Sequence, residues 1–167
     1  MVPDLDLQLG VIEAALRNTA SQAGAGGGLA AEQLHLSLAT LDQVRTLLPL
    51  QPVVARHELE AALEMARAAE LDEFVAAGEA LLARPGATAG QMDALRAGLL
   101  GAIAALVDVG PLRPGLRAAI LQHSRAALDI ARACCLPAGF ESDPGERERL
   151  AGVRAALIAE AEIRTNT

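Results

Sequence analysis

A chain of 167 residues with 52% apolar and 21% charged side chains suits one domain, or two small halves sharing a core, and is too apolar to stay disordered. Its net charge of −7 argues against general nucleic-acid binding, which draws affinity from cations placed on phosphates. All fourteen basic residues are arginine and neither Trp nor Tyr is present, so the chain has no lysine nucleophile or Schiff base and little with which to stack bases.

Alanine and leucine supply 37 and 28 of the residues, the composition of helix packed on helix. The first helix is expected over about Asp4 to Ala20, with Leu5, Leu9, Ile12 and Leu16 on one stripe. Ser21 to Gly28 reads as a glycine-rich connector. It lacks the Gly-Lys-Ser/Thr of a phosphate loop and the preceding strand of a dinucleotide fold. The second helix is expected over about Leu29 to Leu48, turning Leu34, Leu38, Leu41 and Leu48 inward, with Pro49 and Pro52 bracketing the turn that follows.

A third helical stretch covers about Val53 to Arg84. Its stripe of Leu59, Leu63 and Ala66 loses phase near Glu70 to Asp72, so either one helix bends there or two meet. Thr88 and Gln91 form a capping-box pattern for a fourth helix, about Ala89 to Val109. No charge falls between Arg96 and Asp108, which predicts that this helix is the centre of the bundle, with Leu99, Leu100, Ile103, Leu106 and Val107 buried. Ala94, Ala97, Gly98, Gly101 and Ala105 give it a small-residue face suited to a close helix contact. Pro114 opens the fifth helix, about Arg113 to Cys135, whose inward seam is Leu116, Ile120, His123, Ala127, Ile130 and Cys134. Asp143, Pro144 and Glu146 start the sixth, which runs to about Ile163. No strand pattern is present. The fold class is therefore all-α, a bundle of about six helices in a single domain over residues 1–167.

The order Ser37, Leu41, Asp42, Arg45, Pro49 returns as Ser124, Leu128, Asp129, Arg132, Pro137. A pseudo-repeat of residues 4–84 and 89–163 would give two similar three-helix halves.

Candidate chemistry is sparse. Glu32 and His35 form one E-x-x-H on a helix, but a di-iron bundle needs a second such motif and two more glutamates, and neither His57 nor His123 supplies one. No metal, cofactor or catalytic set is assigned. Cys134 and Cys135 are adjacent, a poor geometry for a disulfide, and read as packing residues kept reduced. The longest strictly apolar run, Ala97 to Val107, is eleven residues against about 20 needed to span a bilayer. The acidic start, Met1 to Asp6, has no basic region of the secretory type, so a cytoplasmic protein is expected.

Charge is distributed unevenly. The third helical region holds seven acidic residues (Glu58, Glu60, Glu64, Glu70, Asp72, Glu73, Glu79) against Arg56, Arg67 and Arg84. The fifth helix holds Arg113, Arg117, Arg125 and Arg132 against Asp129. Acidic and basic faces on one small bundle permit self-pairing or docking of a charged partner. The expected function is thus non-enzymatic: a bacterial adaptor-, chaperone- or immunity-type bundle that binds another protein and forms a homo-oligomer, with no nucleic-acid or membrane partner. The candidate face comprises His123, Arg113, Arg117, Arg125, Gly98 and Gly101. The alternative is a small-molecule sensor or carrier with an apolar cavity near Gly98, Gly101, Ile120 and His123. No motif is specific to any one family.

Overall fold

The computed structural model describes residues 5–22, 29–139 and 141–165, all of them helical or in short connections, with no strand. Contacts divide the chain into two compact units, Met1–Pro49 and Leu50–Thr167.

The first unit is a helical hairpin of α1 (Leu5–Gln22) and α2 (Leu29–Leu47). The helices run antiparallel, so Glu13 near the middle of α1 meets Arg45 near the end of α2, at 2.6 Å. The inward side of α1 is Leu9, Glu13, Leu16 and Ala20, while Ile12 is half exposed. Glu13 takes the inward position because two guanidiniums, those of Arg17 and Arg45, meet its carboxylate and hold it below the ordinary carboxylate range.

The second unit opens after the 3-10 turn at Leu48–Leu50 with α3 (Gln51–Ala68), which has Pro52 in its first turn where a missing N–H costs nothing. The loss of phase near Glu70 is a true break between α3 and α4 (Asp72–Ala83). Leu71 N–H donates to Ala66 O (2.9 Å) and Glu70 N–H to Arg67 O (3.1 Å), the paired bonds of a Schellman cap. Glu70 sits at the left-handed position, φ 59°, where glycine is usual. After a short connection Thr88 caps α5 (Ala89–Val109). Its hydroxyl accepts from Gln91 N–H (3.3 Å), and the Gln91 side-chain oxygen accepts from Thr88 N–H (3.1 Å). Helix α6 (Pro114–Cys135) ends in a 3-10 turn at Leu136–Ala138, and α7 (Pro144–Thr165) follows. Asp143 caps α7 by accepting from Gly145 N–H (2.8 Å) and Glu146 N–H (3.1 Å). Seven α-helices thus stand among the described residues, because the third helical stretch is two.

The central helix is α3, and the expectation for α5 is corrected. Helix α3 packs against α4, α5, α6 and α7, and buries Val53, Ala55, Leu59, Ala62, Leu63, Met65 and Ala66. Helix α5 buries only Met92, Leu99 and Ile103, a single stripe at helical spacing. Leu100 is half-buried, and Leu106 and Val107 are 41% and 44% exposed. The reason is size. Much of the uncharged stretch of α5 is Ala and Gly, whose exposure adds little apolar surface, so freedom from charge does not oblige that helix to be covered.

The small-residue face of α5 is also not a close helix contact. A Cβ on Gly101 would meet nothing within 4 Å, and one on Gly98 would meet only the edge of Phe74, at 3.5 Å. The close approach is instead at Gly78 of α4, where a Cβ would fall within 3.0 Å of three side-chain atoms of the buried Leu63.

Candidate functional site

The inward seam of α6 holds as read from its spacing: Leu116 is buried, and Ile120, His123, Ala127, Ile130 and Cys134 are half-buried. Two of these carry chemistry. Burial pushes the His123 pKa below its ordinary 6.5, the Arg96 guanidinium adds to the effect, and Glu58 opposes it. Its imidazole is therefore neutral near pH 7. Arg96 Nη1 of α5 meets Glu58 Oε2 of α3 at 3.0 Å, with both side chains about three-quarters covered. Three side-chain nitrogens on three helices, Arg96 Nε, His123 Nδ1 and Arg154 Nε, are out of solvent without a hydrogen-bond partner among the described residues.

No poised nucleophile accompanies His123 among the described residues. Ser124 turns its hydroxyl to Ile120 O (2.8 Å), away from the imidazole beside it in sequence. Burial pushes the Cys134 thiol up, with smaller contributions from Cys135 and Glu58, and Arg154 only partly offsets them, so little thiolate forms there. Neither cysteine is joined in a disulfide. No group of three or more His, Cys, Asp or Glu that could hold a metal ion occurs among the described residues.

The remaining candidate residues are dispersed. Arg113, at the N-terminus of α6, reaches Glu70 at 2.5 Å, and both side chains are mostly exposed. This pair is one ion pair between the acidic helical region and the basic helix. Arg117 and Arg125 are exposed and make no ion pair among the described residues. With Leu121 and Leu128, which are 52% and 57% exposed, they form one stripe at helical spacing on the outer side of α6. Gly98 and Gly101 lie on the exposed side of α5. The structure therefore disperses the candidate face: His123 is half-buried on the inward seam, Arg113 pairs with Glu70, Arg117 and Arg125 stand on the outer side of α6, and Gly98 and Gly101 lie on the exposed side of α5.

Elsewhere the charges neutralise one another locally. Arg149 holds Asp129 of α6 through two hydrogen bonds, 2.7 and 2.9 Å, and also Glu146. Arg132 pairs with Glu141 and with Glu146 (3.1 Å). His57 Nε2 of α3 lies 2.7 Å from Glu160 Oε2 of α7. Burial alone would raise the Glu160 carboxyl, but hydrogen bonds from His57 and Arg164 outweigh it and hold it below the ordinary carboxylate value. Only the pairs at helical spacing, such as Glu13–Arg17 and Glu160–Arg164, carry a signal in the sequence. Glu58–Arg96 and Asp129–Arg149 depend on how helices meet.

Open clefts form among the described residues. One, of about 480 Å³, lies between α4 and α5 and is lined by Ala77, Leu81, Arg84, Gln91 and Leu95 among others. Another, of about 380 Å³, lies on the hairpin and is lined by Leu16, Leu36, Ser37, Thr40, Leu41 and Val44. Neither includes Gly98, Gly101, Ile120 or His123. No helix among the described residues is long and apolar enough to cross a membrane. No protein-family model, curated protein or solved structure matches the chain.

Proposed function

We propose that this protein is a non-enzymatic helical interaction module of the cytoplasm, adaptor-, chaperone- or immunity-like, which binds another protein and associates with itself. One observation carries the reading: aliphatic surface is left in water. Val11, Ile12, Leu36, Val44, Leu106, Val107, Val109, Leu121, Leu128 and Ile163 are each more than 40% exposed among the described residues, and Val109 reaches 87%. Isolated exposed apolar residues are ordinary, whereas grouped ones mark interaction surfaces. Here they group on the outer side of α6, at the C-terminal end of α5 and on the hairpin. The outer side of α6 adds to Leu121 and Leu128 two exposed guanidiniums, Arg117 and Arg125, with no ion pair among the described residues, a mixture suited to a protein surface that is apolar and acidic together.

The reading fits the lack of any nucleophile–base arrangement around His123, and the net charge of −7 favours protein over nucleic acid as the partner. Its test is mass in solution. Sedimentation equilibrium of the full chain, joined to affinity capture from its native host, is expected to show self-association and a stoichiometric protein partner. A strictly monomeric species at high micromolar concentration with no stoichiometric partner would overturn it.

A further inference from the structure

Among its described residues the hairpin of α1 and α2 has no buried core of its own. None of its described side chains is buried, from Leu9 to Ser21 and from Ala31 to Pro49. Two helices share one line of contact, which cannot shield aliphatic residues on their flanks. Those flanks differ. On one, Glu13 is bound by Arg17 and Arg45. On the other, α2 presents Gln33, Leu36, Ser37, Thr40, Val44 and Leu47 along one side of the helix, with no charged residue among them. The cleft runs along this flank, and Leu16 of α1 closes its side. Leu36 is 64% exposed at its rim. The two hydroxyls in the cleft are already used, Ser37 on Gln33 O (2.9 Å) and Thr40 on Leu36 O (2.8 Å), so the surface offers a partner shape and apolar contact in place of hydrogen bonds.

We propose that this charge-free flank is the surface through which two copies of the chain associate, hairpin on hairpin, as a two-fold four-helix bundle. This rests on the self-association proposed above and names its surface. A second copy fits for two reasons. A face without charge meets its own image without like-charge repulsion, as a two-fold interface requires. The area also suffices: helices of 18 and 19 residues are about 28 Å long, and two side by side span about 18 Å, giving roughly 500 Å² per copy and roughly 1,000 Å² in all. That lies at the threshold for a specific interface, so the dimer is expected to be of micromolar strength.

The test is sedimentation velocity on the full chain across about 1–200 µM. Wild type is expected to shift from monomer to dimer. Leu36→Glu with Val44→Glu is expected to weaken the dimer at least about tenfold, since each carboxylate would be desolvated against an apolar surface. Leu36→Lys, opposite in sign, is expected to do the same, while Leu128→Glu on α6 leaves the dimer intact. Unchanged circular dichroism at 222 nm verifies that the variants fold, as expected for exposed positions. A wild-type dimer that resists both Leu36 variants, or that Leu128→Glu dissolves, overturns this surface and leaves self-association standing. A monomeric wild type overturns both.

Discussion

Two glycines in the middle of helices should respond to the same substitution with opposite sign. Gly78 and Gly101 are both helical and both belong to the second unit, so a single unfolding transition reports on each. Intrinsic helix propensity favours alanine at either site by about 1 kcal/mol. At Gly101 nothing lies within 4 Å of the new methyl group, so that gain stands alone. Gly101→Ala is expected to stabilise by about 1 kcal/mol, a rise of about 2–4 °C in melting temperature for a chain of this size.

At Gly78 the methyl group would fall within 3.0 Å of three atoms of Leu63. Leu63 cannot give way easily, since it is 1% exposed and packed in the same cluster as Leu59, Ala62 and Ala66. Overpacking of this kind costs about 1–3 kcal/mol, which exceeds the propensity gain. Gly78→Ala is therefore expected to destabilise by about 1 kcal/mol, with the loss recovered when Leu63→Val makes room beside it. Thermal and urea unfolding followed by circular dichroism measure both changes. A Gly101→Ala protein less stable than wild type, or a Gly78→Ala protein more stable, would refute the assignment of α3–α4 as the tight contact and of α5 as an open-faced helix.

Leu59→Ala, at the centre of α3 and fully buried, is expected to cost about 2–5 kcal/mol in urea unfolding, and Leu106→Ala on α5 under about 1 kcal/mol. Equal losses would restore α5 as the centre. His123 is held neutral, with its folded pKa below the 6.5 of the unfolded chain, so the unfolded state binds the extra proton and stability falls as pH drops through 6.5. His123→Gln is expected to remove that part of the pH slope between about pH 7 and 5, and an identical slope in wild type and variant would contradict it. Glu70→Gly relieves a left-handed residue at the α3 cap, and a rise of about 2–4 °C in melting temperature is expected, whereas a fall would mean that the pair with Arg113 outweighs backbone strain.

Local signals in the sequence were legible wherever one turn of chain decides the outcome. The capping box of Thr88 and Gln91, the cap at Asp143, the proline at the start of α6 and the phase break before Asp72 all depend on neighbours within four residues. So does the seam of α6, because its period is fixed by helix geometry. The cap of α3 was not legible as such, because Glu70 occupies a position where only glycine or asparagine would have announced a left-handed turn. The Glu58–Arg96 and Asp129–Arg149 pairs were invisible for a different reason: each joins two helices, and no spacing encodes which helices meet.

The misplaced centre has the same origin and bears on function. Absence of charge was read as a demand for burial, yet the demand scales with apolar area, and alanine and glycine contribute little of it. Helix α3 carries glutamates and arginines along its outer edge and still buries seven residues, because Leu59, Leu63 and Met65 are large and the alanines between them let four helices approach. Helix α5 is the reverse case, with an uncharged outer side made mostly of small residues that tolerate water. What distinguishes its C-terminal end is that Leu106, Val107 and Val109 are large and still exposed. In an alanine-rich bundle, then, an interaction surface is to be sought where branched aliphatic side chains stand in water. By that criterion the end of α5, the Leu121–Leu128 stripe and the Leu36–Val44 flank outrank the small-residue face of Gly98 and Gly101.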